Sequence, residues 1–201
     1  RHLQGSWKLL KTWIKSEEPI RALPFLPEMA LGMCGIAVLR GDGRRAVSYL
    51  VAFQGLLRTG ELLNLEAADF LFSPTMESVV INLGDTKGGQ RRGCKESVVI
   101  DDRDVVVCLW AVTRGLEPGD KLVDCTPRKF RENFSGDLVR LKLSKLHKPY
   151  SFRRGGTTHH YRVNPNLSRL TTRGRWGDTR TARIYLDEAM AEASRIQMSK
   201  A

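Results

Sequence analysis

Two short runs of β-branched residues, separated by a polar loop, constrain the fold more than any other feature of the sequence. The runs are SVVINL at 78–83 and SVVI at 97–100, and the connection GDTKGGQRRGCKE is rich in glycine and basic residues. Paired runs of this kind around a glycine-containing segment predict an antiparallel hairpin. The sequence therefore predicts one small sheet with a long basic tip.

Apolar residues recur at helical spacing through most of the remaining chain. A last helix would begin at Asp178 or Thr179 and carry an apolar stripe of Leu186, Ala189, Met190 and Ala193. The expected fold class is α+β, mainly helical with a small antiparallel sheet. The other predicted helices cover 2–16, 26–40, 46–57, 101–114, 126–144, 152–163 and 166–173, with a further helical turn in 61–70 that leads towards a strand.

The opening segment is predicted to be separate from the main domain. Residues 2–16 have an amphipathic pattern, and the following stretch SEEPIRALPF contains two prolines and is typical of a linker. We expect 1–20 to be the tail helix of an upstream domain plus its linker, and 21–201 to be the main domain. The chain starts at Arg1 without an initiator methionine, which we interpret as a sign of a processed or partial sequence.

The positive charge is confined to one part of the chain. Residues 1–125 contain 16 basic and 16 acidic residues, whereas residues 126–201 contain 17 basic and 6 acidic ones, so this second part carries the whole net charge of +11. A basic region of this kind suits a polyphosphate partner, because each neutralised phosphate releases condensed counterions. The charge pattern favours nucleic acid as the partner.

The cysteines and histidines do not have the spacing of metal ligands. No cysteine pair is separated by two residues, which predicts reduced thiols in an intracellular protein and no zinc site. His159 and His160 are adjacent, and surface or phosphate contact suits them better than metal binding. No apolar run approaches the length of a membrane span. The four cysteines are Cys34, Cys94, Cys108 and Cys125.

Three further segments place an arginine or a tyrosine where an apolar stretch meets a polar turn: LLRTGELLNL at 56–65, PYSFRRGGTTHHY at 149–161 and RWGDTRTARIY at 175–185. With the hairpin, they resemble the ordered boxes of the tyrosine recombinase or phage integrase catalytic domain, over about residues 21–195. The L-R-x-G-E-L-x-x-L box is matched without a gap from Leu57 to Leu65. The lysine in a T-K-G context is matched by Lys87 in the hairpin.

The two remaining boxes contain the tyrosines. The H-x-x-R box is matched by Arg153, but Tyr150 occupies the histidine position. In the third box, Trp176 precedes Tyr185 by nine residues, as the family pattern requires. The resemblance implies that Tyr185 attacks a DNA phosphodiester and forms a 3′-phosphotyrosyl link that a second DNA end can attack.

Phosphodiester transfer explains why the family uses these residue types. Charge builds up on the phosphate oxygens, and the planar, permanently charged guanidinium groups of Arg58 and Arg153 would stabilise it. A tyrosine with an ordinary pKa of about 10 is a poor nucleophile at neutral pH, and neighbouring positive charge helps it lose its proton. The resemblance implies no metal and no nucleotide cofactor.

The remaining site residues have supporting roles. Lys87 would protonate the leaving 5′ oxygen, with Lys95 as a competing candidate in the same hairpin. Trp176 could donate its indole N–H to the phosphate, and Glu61 is expected to order the loop of the first arginine. Tyr150 can hydrogen-bond phosphate but cannot act as an acid–base group near neutral pH, so altered proton handling is expected.

The expected partner is duplex DNA, bound by a homotetramer on paired sites, with no membrane partner. The resemblance further implies an upstream domain that closes round the DNA, a mobile-element origin, and an intracellular, DNA-associated location, nuclear if the host is eukaryotic. Residues expected to contact DNA are Arg91, Arg92, Arg154, His159, Arg173, Arg175 and Arg180.

Three alternatives remain open from sequence. Tyr150 at the histidine position is compatible with a recombinase-derived DNA-binding domain whose catalysis is impaired. A type IB topoisomerase shares the tyrosine and arginine chemistry. In a basic helical scaffold without a DNA role, the boxes would be dispersed in the fold.

Overall fold

The computed structural model describes residues 3–16, 22–84, 89, 93, 95–186, 191–192, 195–196 and 198, and every structural statement concerns these residues. Several sequence predictions fall outside this part of the chain: the linker at 17–21, the hairpin-tip residues Thr86, Lys87, Arg91, Arg92 and Cys94, and the stripe residues Ala189, Met190 and Ala193.

Helices form most of the described chain. Several of them begin at a side chain that accepts a backbone N–H three residues ahead, as Asp42, Asp102, Thr126, Asn166 and Asp178 do. Asp178 thus fulfils one of the two predicted caps. The helices are α1 (Leu3–Ser16), α2 (Pro27–Leu39), α3 (Gly43–Gln54), α4 (Thr59–Asn64), α5 (Arg103–Thr113), α6 (Pro127–Arg140), α7 (Ser151–Val163), α8 (Leu167–Arg173) and α9 (Thr179–Tyr185).

One antiparallel sheet accompanies the helices, with strand order β1-β2-β3. Strands β2 (Val79–Asn82) and β3 (Ser97–Ile100) pair in the register Val80↔Val99, which confirms the predicted hairpin. Strand β1 (Phe70–Phe72) pairs with β2 and begins at the last residue of the segment predicted to be a helical turn leading towards a strand. The expected mainly helical α+β fold class is confirmed.

The main core lies between α2, α3, α5, α6 and α7. Its aromatic centre includes Phe25, Tyr49, Phe134 and Phe152, with stacked or tilted rings. The Tyr49 hydroxyl donates to the fully buried Asp137 at 2.9 Å. This hydrogen bond satisfies two polar groups that would otherwise be costly to bury.

Three helices end in the same unusual way, with a non-glycine residue in the left-handed region. Leu56 after α3, Lys142 after α6 and Arg175 after α8 have φ of 49°, 54° and 57°. In each case the next residue's N–H bonds back to a carbonyl five residues earlier, as in a Schellman motif. Helix α6 therefore ends at Arg140, four residues before the predicted end at 144.

Two glycines bring α7 very close to its neighbours. An ideal Cβ on Gly155 would lie 2.0 Å from the Phe25 carbonyl oxygen, and one on Gly156 would lie 2.1 Å from that of Phe53. No larger residue fits at either position without moving the backbone. Helix α7 is thereby pressed against the end of α3, and this contact sets the position of Arg153.

Helix α1 exposes much of its apolar surface, with Trp7 59% and Leu9 74% exposed. No helix in the described ranges is both long and apolar enough to cross a membrane. The proposed domain boundary near residue 21 lies outside the described residues and stays a prediction.

Candidate active site

The structure gathers the residues of three separate boxes around the Tyr185 hydroxyl. Tyr150, at the start of α7, donates a hydrogen bond of 2.6 Å to the Tyr185 oxygen at the end of α9. The Trp176 and Tyr185 rings lie 4.7 Å apart between centroids. The Arg153 guanidinium lies 5.0 Å from the Trp176 ring centre and 5.4 Å from that of Tyr185. Tyr150 and Tyr185 are 35 positions apart in sequence, and Arg58, from the L-R-x-G-E-L-x-x-L box, is still further away in sequence.

Arg153 is completely buried and is held by main-chain carbonyl groups. Its Nη1 donates to the Leu56 carbonyl, and its Nη2 donates to the Gly174 carbonyl at 2.7 Å. Burial and the charges of Arg175 and Arg58 lower the pKa of Arg153 to about 10. The guanidinium therefore remains charged at neutral pH.

Arg58 lies beside this cluster and is more open to solvent. Its backbone N–H donates to Glu61 Oε2 at 2.8 Å, and its Nη1 bonds to Glu61 Oε1. The Arg58 side chain is 36% exposed, whereas that of Glu61 is 8% exposed. Glu61 therefore orients Arg58 while leaving part of the guanidinium accessible.

Arg175 is a site residue whose role the sequence did not reveal. Its Nη2 lies 2.8 Å from Glu61 Oε2, and its guanidinium also donates to the carbonyls of Gly55 and Leu56. Arg175 is 7% exposed. The expectation that this side chain faces DNA does not fit, because its charge is already neutralised inside the protein.

The end of α3 is the common anchor of these arginines. The carbonyl of Gln54 accepts from Arg173, that of Gly55 from Arg175, and that of Leu56 from both Arg175 and Arg153. The last carbonyls of a helix have no partner within the helix and carry partial negative charge. They therefore suit guanidinium groups.

The two tyrosine hydroxyls differ in how readily they ionise. Burial by itself raises the pKa of Tyr185, but the hydrogen bond from Tyr150 and the charges of Arg153 and Arg58 outweigh it, so the pKa lies below its ordinary value. Burial and the hydrogen bond to Tyr185 raise the pKa of Tyr150. Tyr185 is therefore the member of the pair that loses its proton first.

Glu61 remains ionised in spite of its burial. Burial raises its pKa, but Arg175 and the hydrogen bonds from Arg58 lower the pKa by more, so it lies below the ordinary value. The single carboxylate thus balances part of the positive charge of Arg58, Arg153 and Arg175.

Arg153 Nε is a buried donor without an acceptor among the described residues, and the indole N–H of Trp176 lies beside the Tyr185 oxygen. A buried N–H without a partner is costly, and such donors often mark a ligand position. Next to several guanidinium groups, they suit an anion with several oxygens, such as a phosphate.

The residues expected to contact DNA are placed in three different ways. Arg180 is exposed on α9. Arg173 and His159 are half-buried, and Arg173 pairs with Gln54 and Asp101. Arg154, which is 4% exposed, is buried, so the expected direct DNA contact does not fit its position. Lys87, Arg91 and Arg92 lie outside the described residues.

No group of three or more metal-ligand side chains is placed to hold an ion within the described ranges. Cys34, Cys108 and Cys125 are free thiols, and Cys94 lies outside the described residues. His159 and His160 line an open pocket of about 380 Å³ beside Arg173.

The helical body, the three-stranded sheet and the arginine–tyrosine cluster together define the fold of a recombinase catalytic domain. The chain is similar to the XerH site-specific recombinase bound to its difH substrate, with a TM-score of 0.65 and 18% identity over 88% of this chain. It is also similar to the XerA recombinase (TM-score 0.65, 16% identity, 90% of this chain). The Tn1549 transposon integrase in complex with transposon right end DNA has a TM-score of 0.65 and 13% identity over 91% of this chain.

No protein-family model and no curated protein matches the sequence. The chain spans only part of the similar structures, 53% of the XerH chain and 66% of the XerA and Tn1549 integrase chains.

Proposed function

We propose that this chain is the catalytic domain of a site-specific DNA recombinase that cleaves and rejoins strands through a 3′-phosphotyrosyl intermediate. The observation that carries the proposal is the cluster itself: the Tyr185 hydroxyl lies with Arg153, Trp176 and the partly exposed Arg58, although these residues come from separate segments. The similarity in fold to recombinases and an integrase supports the same reading.

In the proposed reaction, Tyr185 attacks the phosphorus of a DNA backbone phosphate. Arg58 and Arg153 stabilise the added charge on its oxygens, and each such donor is worth roughly 3–4 kcal/mol in comparable sites. The indole N–H of Trp176 binds a phosphate oxygen, and Lys87 protonates the leaving 5′ oxygen. A homotetramer on paired sites, closed by an upstream domain, is part of the same proposal, as is an intracellular, DNA-associated location.

A covalent capture experiment tests this function without knowledge of the target sequence. The protein is incubated with a pool of nicked duplexes whose central segment is randomised. Covalent protein–DNA adducts are then separated on a denaturing gel. We expect an adduct that maps to Tyr185, that is absent in Tyr185→Phe, and that persists in the matched control Tyr161→Phe.

Other outcomes favour other functions. DNA binding without any adduct would favour the impaired DNA-binding domain suggested by Tyr150. Relaxation of supercoiled plasmid without sequence enrichment among the adducts would favour a type IB topoisomerase. Enrichment of one sequence supports site-specific recombination.

A further inference from the structure

We propose that Tyr150 is a catalytic residue, whose hydroxyl donates a hydrogen bond to the attacking oxygen of Tyr185 and stabilises it as a phenolate. The inference rests on the proposed function and specifies how its nucleophile is generated. In this proposal the Tyr150 hydroxyl contacts the nucleophile Tyr185, whereas the sequence suggested that it contacts the phosphate.

The geometry of the two hydroxyls carries the proposal. The oxygens are 2.6 Å apart, and Tyr150 is the donor. This distance falls in the range of O–H···O⁻ hydrogen bonds, which are shorter and about twice as strong as neutral ones. The ring centroids are 6.0 Å apart, so the contact is made by the hydroxyls and not by stacking.

The surroundings of Tyr185 favour a negative charge on its oxygen. Helix α7 presents Arg153, the segment before α4 presents Arg58, and the turn before α9 presents Trp176. Tyr161 of α7 only packs in the same apolar cluster. The side chains that pack from α8 are the apolar Leu167 and Leu170.

The carboxylate of the cluster is a poor base for Tyr185. Glu61 is bonded to both Arg58 and Arg175, and these partners keep it ionised and lower its affinity for a proton. We therefore infer that Tyr185 loses its proton to solvent before the attack, and that Tyr150 keeps its own proton throughout.

The steps balance in both directions. In cleavage, the phenolate oxygen of Tyr185 forms a bond to phosphorus, the bond from phosphorus to the 5′ oxygen breaks, and that oxygen takes a proton from Lys87 or from water. In rejoining, a 5′ hydroxyl gives up its proton to the neutral amine of Lys87 or to water and attacks phosphorus, the bond from phosphorus to the Tyr185 oxygen breaks, and Tyr185 leaves as a phenolate. The Tyr150 hydroxyl stabilises that phenolate in each direction.

An NMR titration of the full 201-residue chain tests the pair without DNA. The sequence contains four tyrosines, so [¹³Cζ]-tyrosine labelling gives few signals, which Tyr→Phe variants can assign. We expect Tyr185 to titrate below Tyr49 and Tyr150, and Tyr150→Phe to raise the pKa of Tyr185 by about one unit or more. Tyr161→Phe removes a hydroxyl from the same cluster and should leave Tyr185 unchanged.

The result that would overturn the proposal is an unchanged Tyr185 titration in Tyr150→Phe. Because phenylalanine keeps the ring, the fold should persist, and the signals of Tyr49 and Tyr161 report on it in the same spectra. If the variant does not fold, Tyr150→His provides the second test.

Adduct formation with the randomised nicked pool is then followed against pH. In the wild type, the rate should rise about tenfold per pH unit below the pKa of Tyr185, because the phenolate is formed by solvent. In Tyr150→His, an imidazole can accept the proton, so the rate should level off near neutral pH; identical profiles would contradict the proposal.

A shifted NMR titration without any covalent adduct would support the role of Tyr150 but contradict the proposed recombinase function. An adduct with no NMR shift would do the reverse.

Discussion

Arg175 and Glu61 form a buried ion pair, with 2.8 Å between Nη2 and Oε2. The pair connects the turn between α8 and α9, which leads to Tyr185, with the start of α4, which carries Arg58. Two parts of the candidate active site that are over a hundred residues apart in sequence are therefore fixed relative to each other. The pair holds although the Arg175 backbone is in the left-handed region, with φ of 57°.

Replacing Arg175 separates the backbone strain from the side-chain contacts. Left-handed backbone costs a non-glycine residue about 1–2 kcal/mol, so Arg175→Gly should be more stable than Arg175→Ala by about 1 kcal/mol. Both should be less stable than the wild type, because Glu61 loses a partner. Lys142 has a similar φ of 54° but is exposed, and Lys142→Gly should stabilise the protein. Urea unfolding measures all three, and a stabilised Arg175→Gly would show that the ion pair contributes little.

Glu61→Gln should destabilise the protein by about 3 kcal/mol near neutral pH, because removing one partner leaves buried guanidinium charge uncompensated. The lowered pKa of Glu61 means that its contribution is present above the unfolded-state pKa and is lost as pH falls. The difference from the wild type should therefore shrink below about pH 4. Glu132→Gln is the control, since its carboxylate is half exposed and its loss should cost about 0.5 kcal/mol. Urea unfolding at several pH values between about 3 and 7 measures the free energy of unfolding of both variants. A difference from the wild type that does not depend on pH would count against the charge argument.

His160 predicts a second pH dependence. Burial, reinforced by Arg173, lowers its pKa to about 4. Between the unfolded value of about 6.5 and this value, the unfolded chain binds more protons, so stability should fall as pH decreases through that range. The loss should be about 2–3 kcal/mol and should be smaller in His160→Gln. His159→Gln, on the less buried neighbouring ring, should flatten the profile less; equal profiles in all three proteins would rule out this source.

The close packing of α7 predicts a severe effect of one methyl group. In Gly156→Ala the new Cβ would lie 2.1 Å from the Phe53 carbonyl oxygen, so α7 must move and carry Arg153 with it. We expect a loss of more than about 2 kcal/mol in urea unfolding and a lower yield of DNA adduct. Gly60→Ala adds a methyl to α4 where nothing lies within 4 Å, and it should be neutral or stabilising by up to about 1 kcal/mol. Similar effects of the two changes would contradict the packing argument.

Much of the architecture could be predicted because it depends on local pattern. The β2–β3 hairpin and α7 follow from periodicity and β-branched runs, and Asp178 is a recognisable cap. Strand β1 has three residues, too few for a pattern to appear, and it exists through its pairing with β2. The early end of α6 depends on the left-handed backbone of Lys142. Because this position is not a glycine, the sequence does not indicate that the helix ends there.

Some residues of the candidate site could be predicted from sequence, whereas others depend on contacts between distant segments. Ordered boxes identified Arg58, Arg153, Trp176 and Tyr185, because their order and spacing are visible in the sequence. An arginine in a basic segment suggests solvent and DNA, yet Arg154 and Arg175 are buried. Burial of Arg175 depends on carbonyl acceptors supplied by a distant helix end. The hydroxyl contact between Tyr150 and Tyr185 likewise depends on how α7 and α9 meet in space.

The carbonyl groups at the end of α3 also bear on how such a site can change during evolution. Every residue type has a main-chain carbonyl, so Arg153, Arg173 and Arg175 keep their acceptors whichever side chains occupy positions 54 and 56. The side chains at these positions can therefore change without removing the acceptors of the three arginines. Such tolerance fits a fold that this chain shares with recombinase structures at only 13% to 18% identity.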